Sequence, residues 1–195
     1  MKAELTKTHD PRTVRARAAV LDTAVTLMVE RGIHALTIDG VADHSGVAKT
    51  TIYRQWPSRE ALILDALSSL IDGSQETPRG TAAEQITTLA WRFADKIGTP
   101  PWSVLFPDLI ALAGRSDRMR TLYEDFMRLR RQPVADAIAE VIATTRADVD
   151  ADVVALMILG AITYHQLVLR SAPNEQFVGQ VVATALDQHL AAVRR

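Results

Sequence analysis

The segment "GVAKTTIYRQW", residues 46–56, gathers a lysine, an arginine, two threonine hydroxyls, a phenol and an amide, with no carboxylate among them. Lysine and arginine neutralise phosphates and release condensed counterions. Threonine and tyrosine hydroxyls hydrogen-bond phosphate oxygens and fix register. In the major groove an arginine can read guanine and a glutamine adenine. On a short helix the expected outward positions are Lys49, Thr50, Thr51, Tyr53, Arg54 and Gln55, with Val47, Ile52 and Trp56 toward a core. The chemistry this set suits is contact with a polyanion.

The elements around the segment must position it. Thr37 is a good N-cap for a short helix that turns Ile38, Val41 and Ala42 inward, and its end of that helix can offer backbone N–H groups to a phosphate. Ser45-Gly46 stops that helix, because glycine takes the left-handed conformation a tight turn requires. A second short helix is predicted over 48–55. Pro57 breaks it, and Ser58 caps a fourth helix, "REALILDALSSLID". Two short helices joined by a glycine turn form a helix-turn-helix. A longer helix precedes them, with Val14, Ala18, Leu21, Val25 and Met28 at helical spacing and a stop at Gly32. Arg12, Arg15 and Arg17 stand at its start, where they oppose the helix dipole, so either they are solvated or something other than helix stability places them.

The charge is local. The 195-residue chain carries a net charge of −1, yet 44–59 holds Lys49, Arg54 and Arg59 with no acid, and 7–17 holds Lys7, Arg12, Arg15 and Arg17 against Asp10. The remainder is net acidic, and such asymmetry suggests a polyanion partner for the N-terminal part alone. With no cysteine, disulfides and thiolate metal sites are excluded. The polar start of the chain has no signal-peptide pattern, and the longest uncharged run, 153–169, is short of a bilayer span and reads as a buried helix. A cytoplasmic protein with no membrane partner is expected.

Beyond a loop predicted over 72–81, helical spacing continues. Helices are expected at 82–97, 102–113, 117–147 with a bend or break at Pro133, 151–171 and 175–194. No P-loop, dinucleotide-binding glycine motif, His-Glu-x-x-His or Gly-x-Ser-x-Gly is present, and the five histidines have no metal-ligand spacing. No catalytic residue, metal or cofactor is therefore expected. A protein-docking helix-turn-helix is the competing reading, and salt-dependent DNA binding separates the two.

The stretch "TIDGVADHSGVAKTTIYRQWPSREALILDAL", 37–67, resembles the DNA-binding segment of TetR-type transcriptional regulators. "GAITYHQLVLRSAP", 160–173, is a fainter echo, similar to the penultimate helix of one subgroup. The resemblance implies an all-α chain: a three-helix helix-turn-helix DNA-binding domain over 1–57, then a helical ligand-binding and dimerisation domain over 58–195. It implies a homodimer that binds a palindromic double-stranded operator and answers to a small-molecule effector, most often as a repressor. It carries Lys49, Thr50, Thr51, Tyr53, Arg54 and Gln55 onto the recognition helix, Tyr53 and Arg59 onto phosphate contacts, and Thr37 onto the phosphate-facing cap. Two departures stand out. Ala48 leaves the recognition helix without a side-chain cap, at a cost of about 1 kcal/mol. Asp39, near the DNA face, is expected to point away or to pair with an arginine.

In the C-terminal part, aromatic, methionine and embedded polar residues are the candidates for a mostly apolar effector cavity: Trp91, Trp102, Phe106, Phe126, Met127, Met157, Tyr164 and His165. Phe93, Tyr123 and Asp108 are further candidates, and Arg128, Arg130 and Arg131 read as solvated, salt-bridged or facing an anionic effector. The last two helices are the expected dimer surface, through Gly160, Ala161, Phe177, Val181, Ala185 and His189.

Overall fold

The computed structural model describes residues 11–70, 78–115, 117–145 and 149–190, with side chains through 187 and excepting that of Thr145. The described residues form nine α-helices and one 3-10 turn, with no strand. Two compact units result, Met1–Gly73 and Ser74–Arg195.

In the first unit, α1 (Pro11–Arg31) runs into a 3-10 turn at Ile33–Ala35, followed by α2 (Ile38–Ser45), α3 (Lys49–Gln55) and α4 (Arg59–Ser69). Helix α1 packs on α2, on α4 and on the 3-10 turn. Its Ala24 and Met28 close on a core that includes Ile33, Val41, Ile52, Leu62 and Leu67, all fully enclosed. Because Leu62, Ile63, Ala66 and Leu67 bury their apolar face against this core, α4 falls within the first unit. The division thus comes after α4, at Gly73, where the sequence suggested a boundary at 57.

The second unit is built around α5 (Ala82–Gly98), which packs against α6 (Trp102–Ala113), α7 (Asp117–Thr145), α8 (Ala151–Leu167) and α9 (Glu175–Leu190). The small and β-branched stripe Ile86, Ala90, Ala94 and Ile97 lets four neighbours approach one helix. Thr81 starts α5 with a reciprocal cap: its hydroxyl accepts from the Glu84 N–H, and its own N–H donates to the Glu84 carboxylate at 2.7 Å. The two hydrogen bonds from Thr81 hold the Glu84 carboxyl below its ordinary pKa.

Three expectations shift here. Helix α7 continues through Pro133 as one element; Val134 and Ile138, just beyond the proline, are buried, so tertiary packing outweighs the lost hydrogen bond. Helix α8 ends at Leu167, and Arg170, at φ 51°, lies in the left-handed region three residues later. Nor is α8 buried all round. Val154, Ala155, Ile158, Leu159 and Ile162 face inward, while Val153, Leu156, Met157, Tyr164 and Val168 form an exposed apolar stripe. Among the described residues no helix is long and apolar enough to cross a membrane.

Candidate nucleic-acid interface and effector cavity

Helix α3 has one anchored face. Ile52 is fully buried and Trp56, the residue that ends the helix, is 4% exposed. The opposite side carries Lys49, Thr50, Tyr53 and Arg54 exposed to solvent, with Tyr53 at 52%. Thr51 and Gln55 are half-buried at the edges of that face, so the outward set is narrower than the sequence suggested. Val47 is half-buried rather than a core residue. The turn before α3 depends on Gly46, at φ 70°, whose N–H donates to the Ala42 carbonyl. Ala48 stands at the N-cap of α3 with no side-chain bond, as its lack of a hydroxyl requires.

Among the described residues Asp39 meets Lys49 and no arginine. Its carboxylate lies 2.9 Å from the Lys49 Nζ, and this hydrogen bond raises the lysine pKa above its usual value. The pairing follows from position: Asp39 is in the first turn of α2 and Lys49 is the first residue of α3, so the glycine turn brings them together.

Thr37 caps α2 as expected, its Oγ1 accepting from the Gly40 N–H at 3.0 Å. Its side chain is exposed on the protein surface. Arg59 has another task beside the one the resemblance gave it. Its Nε donates to the Leu36 carbonyl at 2.6 Å and its Nη2 to the Ile33 carbonyl at 2.7 Å. The guanidinium therefore ties the start of α4 to the chain that delivers Thr37.

A second clamp holds α3 in place. The Trp56 indole N–H donates to Asp65 Oδ2 at 2.7 Å, and Arg17 donates to the same oxygen at 2.5 Å while its guanidinium lies 5.9 Å from the indole ring centre. Arg17 thus has a role that accounts for one cation at the start of α1: it joins α1 and α4 at the end of α3. Trp56 was expected to be core; its polar partner was not legible from spacing alone.

In the second unit a cavity of about 850 Å³ opens among α5, α6, α7 and α8. Of the eight expected contacts, Phe106, Met127 and Tyr164 line it. Trp102 and Phe126 are buried behind Phe106, with Trp102 stacked on Phe126 at 6.1 Å and edge-on to Phe106 at 6.3 Å. Trp91 is half-buried and Met157 exposed, neither on the cavity wall. His165 packs its ring on Phe177 at 4.5 Å, and its Nδ1–H donates to the Ser171 carbonyl at 2.7 Å. It therefore fastens the connection from α8 to α9 and does not face the cavity. Phe93 and Tyr123 do line it, as do Glu124 and Thr163, which sequence patterning did not single out.

The residues expected at a dimer surface divide. Ala161, Phe177, Val181 and Ala185 border a shallow groove along α8 and α9, joined by Met157. Gly160 instead lines the larger cavity, and Ala185 is buried within the chain at 4% exposure. The side chain of His189 lies outside the described residues.

Comparison with known proteins follows the same division. Residues 20–66 match bacterial regulatory proteins of the tetR family, and residues 77–185 match the tetracyclin repressor-like C-terminal domain. The chain belongs to the TetR family. It is 27% identical over 179 residues to the HTH-type transcriptional regulator YdeS of Bacillus subtilis, covering 90% of each chain. It is also 27% identical over 177 residues to the DNA-binding transcriptional repressor TetR of Mycobacteroides abscessus, covering 87% of this chain and 90% of that one. The crystal structure of the TetR family transcription regulator SCO0332 superposes with a TM-score of 0.71 at 29% identity, covering 89% of this chain and 97% of the other. The protein is thus a DNA-binding transcriptional regulator of this family, with a helix-turn-helix head and an all-helical C-terminal domain.

Proposed function

We propose that the protein is a ligand-responsive repressor that binds a palindromic operator as a homodimer. The observation that carries the reading is the outward face of α3, where Lys49, Thr50, Tyr53 and Arg54 stand exposed over an anchored Ile52 and Trp56. Lys49 and Tyr53 take phosphates, and Arg54 reaches a base edge. Thr37 presents the first turn of α2 to a further phosphate, with Arg59 holding the chain before it in place and adding a phosphate contact through its remaining N–H groups.

Exposed Met157 of α8 and the groove it borders with Ala161, Phe177 and Val181 support pairing of α8 and α9 with the same helices of a second copy. A two-fold pair presents two recognition helices about one DNA turn apart, or a multiple of it, as a palindrome requires. The cavity beside α8 is the effector site, with its largely apolar wall favouring a largely apolar molecule. Effector binding changes the separation of the heads through α4, and it acts only by its different affinity for the two states. Selection of bound sequences from random DNA tests this reading. A recovered palindrome bound by two chains supports it; a single half-site bound by one chain contradicts the homodimer.

A further inference from the structure

We infer that a second copy of the chain closes the effector cavity, so that the site is complete only in the homodimer and ligand binding and dimer assembly strengthen one another. This rests on the reading of the cavity as the effector site and of α8 and α9 as the pairing surface.

Within one chain the cavity is an open cleft. Leu156, Tyr164 and Val168 line it, yet each is more than half exposed. Gly160 lines it as well, and beyond its own helix no atom lies within 4 Å of where a Cβ on it would stand. A site for a small apolar molecule buries roughly 70–90% of the ligand surface. A wall that water reaches along about three turns of α8 does not enclose a ligand to that degree. Nor does the chain that follows α8 cover the opening. The His165 Nδ1–H donates to the Ser171 carbonyl at 2.7 Å and the ring packs on Phe177 at 4.5 Å, which ties that connection to α9.

The spacing along α8 names the cover. Met157, Ala161, Tyr164 and Val168 follow one another at intervals of four, three and four residues, the interval of an apolar seam between packed helices. Met157 and Ala161 border the groove shared with Phe177 and Val181 of α9, while Tyr164 and Val168 border the cavity. One face of one helix therefore serves both, over about 16 Å of its axis. A helix is about 10–12 Å across and packs about 8–10 Å from its neighbour. A partner helix seated in the groove and following the seam passes over Tyr164 and Val168 and closes the cleft. The run 153–169 carries no charged residue, so this cover buries no charge of α8. Two-fold symmetry makes the closure mutual. Reciprocity then sets the regulation: if the dimer binds a ligand about tenfold more tightly than the monomer, filling both cavities tightens the dimer about a hundredfold.

The chain has no cysteine, so a single introduced one reports only on its own surroundings. Tyr164→Cys, Val168→Cys and, as a control, the exposed Leu129→Cys are made in the full chain, each with and without Met157→Glu. Met157 borders the groove and not the cavity, and Met157→Glu is expected to sediment as a monomer with unchanged helical circular dichroism. Val181→Glu, across the groove on α9, repeats the test independently of Met157. Maleimide labelling of Tyr164→Cys and Val168→Cys is expected to be about tenfold or more slower in the dimer than in the monomer, with Leu129→Cys alike in both. Nile red, an uncharged dye that brightens in apolar surroundings, should bind the dimer about tenfold or more tightly than the monomer. Equal labelling of dimer and monomer at the two cavity positions, or equal dye affinity, overturns the inference. A parent chain that is monomeric, or one that stays dimeric with both glutamate substitutions, overturns the pairing reading and the inference with it. Slow labelling in a dimer that binds no Nile red keeps the closure and removes the effector reading.

Discussion

Asp39 and Lys49 form an ion pair across the helix-turn-helix, 2.9 Å from nitrogen to oxygen, on the side of the head that carries the proposed DNA-contacting residues. A family recognition lysine is thus occupied in the free protein by the neighbouring helix. Both groups are largely exposed, so the pair adds little to stability. Its consequence is for binding, because Lys49 must exchange Asp39 for a phosphate. Asp39→Ala should raise affinity for DNA of any sequence and steepen the dependence of log K on log salt by up to about one unit. Anisotropy over a salt series checks this, and an unchanged slope would mean that Lys49 stays with Asp39 on DNA.

The clamp at Asp65 predicts a stability effect with a functional echo. Trp56→Phe keeps the buried ring and removes one charge-assisted hydrogen bond, leaving Arg17 on the carboxylate. A loss of roughly 1–2 kcal/mol is expected in urea unfolding. Operator affinity should fall more than that of a remote variant with equal stability, since the end of α3 loses its tie to α4.

Gly46 separates conformational strain from packing. Its φ is 70°, and a Cβ built there meets nothing within 4 Å. Gly46→Ala should therefore cost about 1–2 kcal/mol from the left-handed backbone alone. Gly46→Asn should cost less, because asparagine tolerates that region. Equal losses in the two variants would point to a steric origin instead.

Acid stability follows from Asp152 and Arg131. The hydrogen bond from Arg131 holds the Asp152 carboxyl below its ordinary pKa. A depressed carboxylate stabilises the fold above its unfolded-state pKa and loses that contribution as pH falls through the folded value. Arg131→Gln should thus lower the melting temperature at about pH 7, by the equivalent of roughly 1 kcal/mol or less given the exposure of Asp152. The gap to the parent protein should close as pH falls below about 4. A gap that is constant with pH would assign the loss to packing of the Arg131 stem.

What was legible in the sequence were local signals. Thr37, Gly46 and Ser58 act within three or four residues of themselves, and each stands where it was expected. The outward face of α3 was legible from helical spacing, apart from Thr51 and Gln55 at its edges. Contacts distant in sequence were not. Arg59 reaches carbonyls 23 and 26 residues back, and Asp65 is met by Arg17 from 48 residues away. No periodicity encodes such pairs. In the second unit, residue type pointed to a cavity without saying which side of a helix faced it. Trp102, Phe126 and His165 are large and conspicuous for that reason, yet they are spent on packing. Glu124 and Thr163 are ordinary surface and helix residues by type, and only the packing of α7 beside α8 turns them to the cavity.

The central claim is that α3 binds DNA through its exposed face. The most direct measurement is fluorescence anisotropy of the purified protein with DNA flanking its own gene and with selected sequences, across a salt series. Tyr53→Ala and Lys49→Ala are measured beside it. The expected result is specific, salt-sensitive binding that weakens in both variants, with the salt slope of Lys49→Ala shallower by about one. Binding that ignores salt, or that survives both substitutions unchanged, would contradict the account.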